Sequence, residues 1–296
     1  MRYIEIGKGG SSYVKVNFYR LISALLVPVG LTFLPSNSLY AAPIPVDLRP
    51  WTAESYPAVA GFGAGNWVVS PDGYSVRQTV NGQPTLFYSD FNVMSSRVTG
   101  VIRVDPNWDD DYFGIALGFQ PGDTTNPNAD YILIDWKRFN QYYNFGFPST
   151  TPGTTAYAGL AVSRVYGIPT ADEFWGHTDF TSHPGGGLVE LARGMTLGNV
   201  GWQYLRDYYF DFIYLPNRLQ LYVDGVLQID ITGNFPDGRL AFYNFSQENV
   251  VYSAFTIEQI EMPASGNLTV AILMILLSCG IYMVTRSVTL YSCVNV

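Results

Sequence analysis

The chain is nearly without cysteine: it has two, Cys279 and Cys293, both close to its C-terminus. A body with no thiol has no disulfide framework, no thiolate metal site and no cysteine nucleophile. Histidine is as scarce, with His177 and His183 alone, which leaves little for imidazole-based metal chemistry. Charged residues make up only 14% of the chain, and the 16 basic side chains are outnumbered by 24 acidic ones. No Gly-rich phosphate loop and no serine nucleophile elbow is present, so nucleotide hydrolysis and serine-hydrolase chemistry have no footing. Between 43 and 261 no amphipathic helical period persists beyond a few turns, which excludes a helical bundle.

What is present begins with two unusual ends. Residues 1–42 carry Arg2, Lys8, Lys15 and Arg20, then the apolar run "LISALLVPVGLTFL", then small residues at Ala41 and Ala42. A basic start, a short apolar centre and a small-residue exit predict a secretory signal peptide. Residues 262–296 read as a linker, a transmembrane or sorting helix over 268–285, and a short tail. The run "LTVAILMILLSCGIYMVT" has no charge and spans roughly 27 Å as a helix, near the thickness of a bilayer core. Arg286 follows it, as the positive-inside rule favours. The segment also resembles bacterial C-terminal sorting tails, although "EMPASG" lacks their second Pro and the intervening Glu. A retained anchor and a processed sorting signal both remain open.

Setting aside Glu5 and the five basic residues of the two ends leaves 11 basic against 23 acidic residues, so residues 43–261 carry a net charge near −12. That balance disfavours nucleic acid and anionic lipid as partners and suits cations and neutral ligands. The length supports one large domain with a sizeable core. Short β-rich runs recur, among them "SRVTGVIRV", "YFGIALGFQ", "YILIDWKRF", "YYFDFIYL" and "RLQLYVDGVLQIDI", separated by Gly, Pro, Asn and Asp. Their spacing predicts an all-β sandwich. Asp224-Gly225 marks one tight hairpin and Asn81-Gly82 in "VNGQP" a second. The segment 146–188 reads as surface loop with one short strand near 158–165.

The stretch "DPNWDDDYFGIALGFQ" at 105–120 carries the chemistry. Asp105, Asn107, Asp109 and Asp111 fall at every second position with Asp110 between them, and converging hard oxygens of this kind select Ca²⁺. A helix–loop–helix calcium loop is excluded, because Asp110 and Ala116 stand where its Gly and final Glu belong. If 97–104 and 112–120 pair through the acidic loop, strand 131–136 returns toward it. Asp135, Asn140 and Asn144 are then further ligand candidates. A sandwich can host glycoside hydrolases, but retaining hydrolysis needs two carboxyls roughly 5 Å apart. Asp207 and Asp211 are about 13 Å apart on an extended strand. His177 with Asp172, Glu173, Asp179 and His183 has no fixed metal spacing. The chain therefore reads as a non-enzyme.

The acidic stretch, "YILIDWKR" (131–138), "FWGHT" (174–178), "GW" (201–202) and "FPDGRLAFYNFSQENVVYSAF" (235–255) together resemble, in order, the signature of the thrombospondin C-terminal, lectin-like domain. The resemblance covers about 100–258, and the upstream strands resemble bacterial versions. It implies a jelly-roll sandwich of the concanavalin (legume-lectin) and laminin-G type, placed outside the cell at a cell surface, binding calcium and serving adhesion to matrix proteins or glycans. It further implies that Asp109, Asp110 and Asp111 are calcium ligands, with Asn107 a further one. The sequence departs from the animal pattern in lacking its EGF modules, its aspartate repeats and its cysteines. "HTDFT" also replaces the usual His-Thr-Gly, which leaves His177 without an assigned role. The expectation is a calcium-binding, non-enzymatic adhesion domain. A carbohydrate-binding lectin is the alternative, and a glycoside hydrolase on the same fold ranks behind it.

Overall fold

The computed structural model describes residues 42–260. The expected signal peptide (Ala42 apart), linker, 268–285 helix and tail lie outside the described residues. Among the described residues no helix is long and apolar enough to cross a membrane.

The strands of the N-terminal half are β1 (Ile44–Pro45), β2 (Thr52–Ser55), β3 (Trp67–Val69), β4 (Ser75–Gln78), β5 (Thr85–Asn92), β6 (Ser96–Val104), β7 (Tyr112–Phe119), β8 (Asp130–Lys137) and β9 (Gln141–Tyr143). There follow β10 (Thr154–Ala156), β11 (Gly159–Gly167), helix α1 (Ala171–Gly176), β12 (Gly186–Arg193), β13 (Tyr208–Leu215), β14 (Arg218–Val223), β15 (Val226–Thr232), β16 (Arg239–Phe245) and β17 (Val250–Gln259). One sheet has the order β15-β14-β13-β6-β17-β4-β3 with β1 also on β17, the other β12-β11-β8-β7-β16-β5-β2, and β9 pairs β10 as a separate ribbon. The result is an antiparallel all-β sandwich.

Alternation along the strands fills two cores. Phe113, Ile115 and Leu117 of β7 join Ile132, Ile134 and Trp136 of β8 and Phe210 and Phe212 of β13 between the sheets. The opposite side chains of β7 and β8, Tyr112, Ala116, Tyr131 and Leu133, pack outward under α1 with Phe174 and Trp175. Strand β7 is thus buried on both faces, which explains why its sequence is apolar throughout instead of alternating. Gly118 (φ 82°) is the extra residue of a bulge where the β7–β16 register slips, so Phe119 swings to the outer core.

Several expectations need correcting. Strands β6 and β7 lie in different sheets, so the acidic loop crosses from one sheet to the other rather than closing a hairpin. Strands β4 and β5 likewise belong to different sheets, and "VNGQP" is a crossover; neither Asn81 nor Gly82 has a positive φ. Gly82 is required there because a Cβ would come 2.5 Å from the Gly63 carbonyl oxygen. By contrast Asp224 (φ 51°) and Gly225 (φ 75°) make the expected tight turn between β14 and β15. In the segment 146–188 the expected strand near 158–165 is present as β11, but the rest is not surface loop alone: it also contains β10 and α1 and starts β12. Helix α1 begins with a capping box in which the Thr170 hydroxyl accepts from the Glu173 backbone N–H and the Glu173 carboxylate accepts from the Thr170 N–H. Asp172 accepts from the Phe145 N–H and the Thr151 hydroxyl, so Asp172, like the capping Glu173, is committed to holding the fold.

Candidate metal centre and the cleft beside it

The acidic loop leaves β6 and enters β7 with Trp108 at its tip, fully exposed and in the left-handed region (φ 70°). Its turn is set by Asn107, whose Oδ1 accepts from the Asp109 N–H at 3.1 Å, from the Tyr204 hydroxyl at 3.1 Å and from Gln247 Nε2 at 3.3 Å. Asn107 Nδ2 donates to the Glu248 carbonyl. Asn107 therefore shapes the loop, and its one side-chain oxygen is engaged by protein donors. The same turn gathers Asp109, Asp110 and Asp111, each of which offers an oxygen within 4.8 Å of the others.

One cation already sits among them. Lys137, the last residue of β8 and the only lysine of residues 42–260, is fully buried. Its Nζ donates to Asp110 Oδ1 at 2.6 Å, Asp111 Oδ1 at 2.6 Å, the Asp110 carbonyl at 2.9 Å and Gln141 Oε1 at 3.0 Å. It also lies 4.9 Å from the centre of the Trp175 ring. Three carboxylates and one ammonium leave a formal charge of −2. Burial pushes the Asp111 carboxyl up to about 8, with Lys137 opposing and Asp109 reinforcing the shift. Asp109 is likewise raised, first by burial.

The other sequence candidates lie elsewhere. The Asp105 carboxylate is taken by Arg77 at 2.7 Å and Arg103 at 2.8 Å and does not join the cluster. Asn140 Oδ1 accepts from the Ala158 N–H, tying the ends of the β9–β10 ribbon together, and Asn144 Oδ1 accepts from the Gly146 N–H within its own turn. Asp135 is buried beside His177 Nε2 at 3.0 Å, while His177 Nδ1 faces Glu190 at 3.3 Å and Glu190 is paired with Arg193. The return of β8 to the acidic end is as expected, since the Arg138 N–H donates to the Asp110 carbonyl. What it delivers there is Lys137 rather than Asp135.

Residues far apart in sequence support the loop. Trp202 Nε1 donates to the Asp111 carbonyl at 3.0 Å, Trp175 Nε1 to the Gln141 carbonyl at 3.0 Å, and the Asp111 N–H to Gln247 Oε1 at 2.8 Å. Asn81 Nδ2 reaches Asp109 Oδ2 at 2.5 Å. Beside the cluster opens a cleft of about 200 Å³, with Asp109, Asp111, Asn81, Gln141, Tyr143 and Trp175 in its walls. The sequence pointed to neither Asn81 nor Gln141. The "WK" of β8 was the available signal for Lys137, a lone lysine following a core tryptophan.

These contacts join the segments that carried the sequence resemblance: the acidic stretch, "WKR", "FWGHT", "GW" and "FSQ" meet at one place. The family described as the thrombospondin C-terminal region matches residues 63–261, and the chain belongs to it. Among its relatives, thrombospondin-3b of Danio rerio is 30% identical over 203 residues and human thrombospondin-3 is 29% identical over the same length, each covering 64% of this chain. The chain spans about a fifth of the length of these relatives. Solved structures with a similar fold include the carbohydrate-binding module CBM66 of Bacillus subtilis (TM-score 0.45, 10% identity, 71% of this chain and 95% of that one). Another is the VIP36 exoplasmic/lumenal domain in its Ca²⁺/Man3GlcNAc-bound form (TM-score 0.44, 13% identity, 76% and 92%).

Proposed function

We propose that residues 42–260 form a non-enzymatic calcium-binding domain that acts outside the cell and binds a surface or matrix partner. The observation that carries this reading is the donor set itself. Three aspartates bring hard oxygens within 4.8 Å of one another, and after Lys137 is counted their formal charge equals that which one divalent cation neutralises. Buried carboxyls held above their ordinary pKa are groups that gain from a nearby cation. The residues present therefore fit Ca²⁺, with Asp109, Asp110 and Asp111 as holders and Asn107, Asn81 and Gln247 fixing the loop. The ion would neutralise the loop and lock it against the cleft. Lys137 would hold the inner carboxylate oxygens in one orientation. The family likeness supports an extracellular setting and adhesion as the biological role.

Calorimetry of the full chain with millimolar Ca²⁺ and with chelator tests it. An ion at 100 times its dissociation constant adds about 2.7 kcal/mol to the native state, a rise of roughly 5–10 °C for a domain of this size. Superimposable melts would remove the calcium reading. The cleft favours a second reading, a carbohydrate-binding lectin.

A further inference from the structure

We propose that this cleft is a subsite for a neutral saccharide, with Tyr143 as its aromatic wall. The inference deepens the binding role proposed above and rests on it for the extracellular setting, but its walls are made by the chain's own side chains.

The cleft's interior volume of about 200 Å³ is below the roughly 300–1,000 Å³ of whole small-ligand sites, which suits a single sugar ring rather than an oligosaccharide. One side is aromatic and rigid. The Tyr143 ring, 37% exposed, is held edge-on by Phe145 at 4.6 Å and by Phe62 at 6.4 Å, and its hydroxyl has no partner among the described residues. A partly exposed ring fixed in the cleft wall by Phe62, Phe145 and Trp175 suits the apolar face of a pyranose, where carbon-bound hydrogens cluster. The rest of the lining is polar and pre-oriented. Asn81 donates to Asp109 and accepts from the Ser246 hydroxyl at 3.2 Å, so its amide cannot flip without losing both contacts. Gln141 spends its carbonyl on Lys137, which leaves its two N–H donors uncommitted among the described residues. Fixed amides and carboxylates in the same cleft as an aromatic ring are a donor and acceptor array that vicinal hydroxyls complete.

Charge decides the class of sugar. The cleft is bordered by Asp109 and Asp111, and the cation nearest to them, Lys137, is fully buried. With Lys137 and the proposed Ca²⁺ counted the cluster is formally neutral, and among the described residues no cationic side chain lines the cleft to pair with a uronate, sialate or sulfate, so it suits neutral hexoses and N-acetylhexosamines.

The test is a glycan array probed with the full chain in millimolar Ca²⁺ and in chelator, with Tyr143→Ala and Tyr143→Phe alongside and melting curves for all three. The expected result is retention of neutral glycans over acidic ones. Binding should fall at least about tenfold in Tyr143→Ala, a loss of about 1.4 kcal/mol. It should be largely kept in Tyr143→Phe, with the Ca²⁺-dependent melting shift unchanged in both variants. A blank array together with an intact Ca²⁺ shift overturns the saccharide subsite and leaves the calcium reading standing. Glycan binding with no Ca²⁺ shift does the reverse. Preference for acidic glycans, or full binding by Tyr143→Ala, overturns the assignment of this cleft.

Discussion

The ammonium of Lys137, fully buried at the end of β8, lies 2.6 Å from Oδ1 of Asp111, which is itself almost fully buried. The acidic loop thus carries an internal counter-ion supplied by a strand of the neighbouring hairpin, and the acidic cluster can exist in the folded chain before any metal arrives. This changes the expected role of Ca²⁺. An ion bound as proposed would complete a neutralisation that Lys137 begins.

Lys137→Met keeps much of the aliphatic volume but removes the charge. Deleting one partner of a buried ion pair costs roughly 3–5 kcal/mol. Urea unfolding of the variant in chelator should show a loss of that order. Because the carboxylates then have no cation at all, part of the loss should return when Ca²⁺ is added. A variant as stable as the parent in chelator would show that Lys137 is not the counter-ion described here.

Asp111→Asn and Asp105→Asn separate the cluster from its neighbour. Asp111 lies among the converging oxygens, so its amide variant should lose most of the Ca²⁺-dependent rise in melting temperature. Asp105 is bonded to Arg77 and Arg103 and should keep that rise. Its cost should be about 0.2–1 kcal/mol for each partly exposed ion pair lost. Calorimetry of both variants with and without Ca²⁺ reads the difference, and equal loss of the shift would merge the two sites.

The contrast between those two aspartates also shows what was legible in the sequence. Asp105 shares the alternating spacing of Asp109 and Asp111, but its carboxylate is held by Arg103 two residues back on β6 and by Arg77 of β4 in the same sheet, the latter a relationship set by tertiary pairing. The acidic trio and the Asp224-Gly225 turn could be read because each is a local signal. Strand β5 was hidden because "TLFYSDFN" follows Pro84 and mixes polar and apolar residues on a doubly covered sheet. Helix α1 was hidden because six residues give too short a period, although its Thr170…Glu173 capping box was visible. Asn81 passed as a turn residue, since Asn-Gly suits a hairpin as well as a crossover and only the sheet assignment separates them.

His177 gives the chain a titration in the neutral to alkaline range. Burial alone would lower its pKa, but Asp135 on one ring nitrogen and Glu190 on the other outweigh it and carry the imidazole up to about 9. The folded state therefore holds the proton more tightly than the unfolded chain, whose histidine titrates near 6.5. The stabilisation is fully present below about pH 6.5 and is lost as pH rises through about 9, a contribution of at most a few kcal/mol. Urea unfolding at several pH values should show stability falling over this window in the parent, and a flatter profile in His177→Gln. An unchanged slope in the variant would place the titration elsewhere.

Gly114 tests the two-core architecture independently of the site. It sits in the middle of β7 facing Asp135 of β8 in register, on the face that is packed under α1. A Cβ there would penetrate the Ile134 carbonyl oxygen and press 2.8 Å from the Asp135 Cα. Both obstacles are backbone of the adjoining strand, so no rotamer change relieves them, and the strand pair must separate. Because β8 also carries Lys137 at its end, that separation should draw the ammonium away from Asp110 and Asp111. Gly114→Ala is expected to lose about 3 kcal/mol or more by denaturant unfolding and to shift the midpoint of the Ca²⁺ titration, followed by intrinsic Trp fluorescence, to higher concentration. Gly225→Ala should cost less, since its Cβ meets nothing within 4 Å and only the positive φ opposes it. Loss of stability without movement of the Ca²⁺ midpoint would mean that the loop holds its geometry without help from the register of β8.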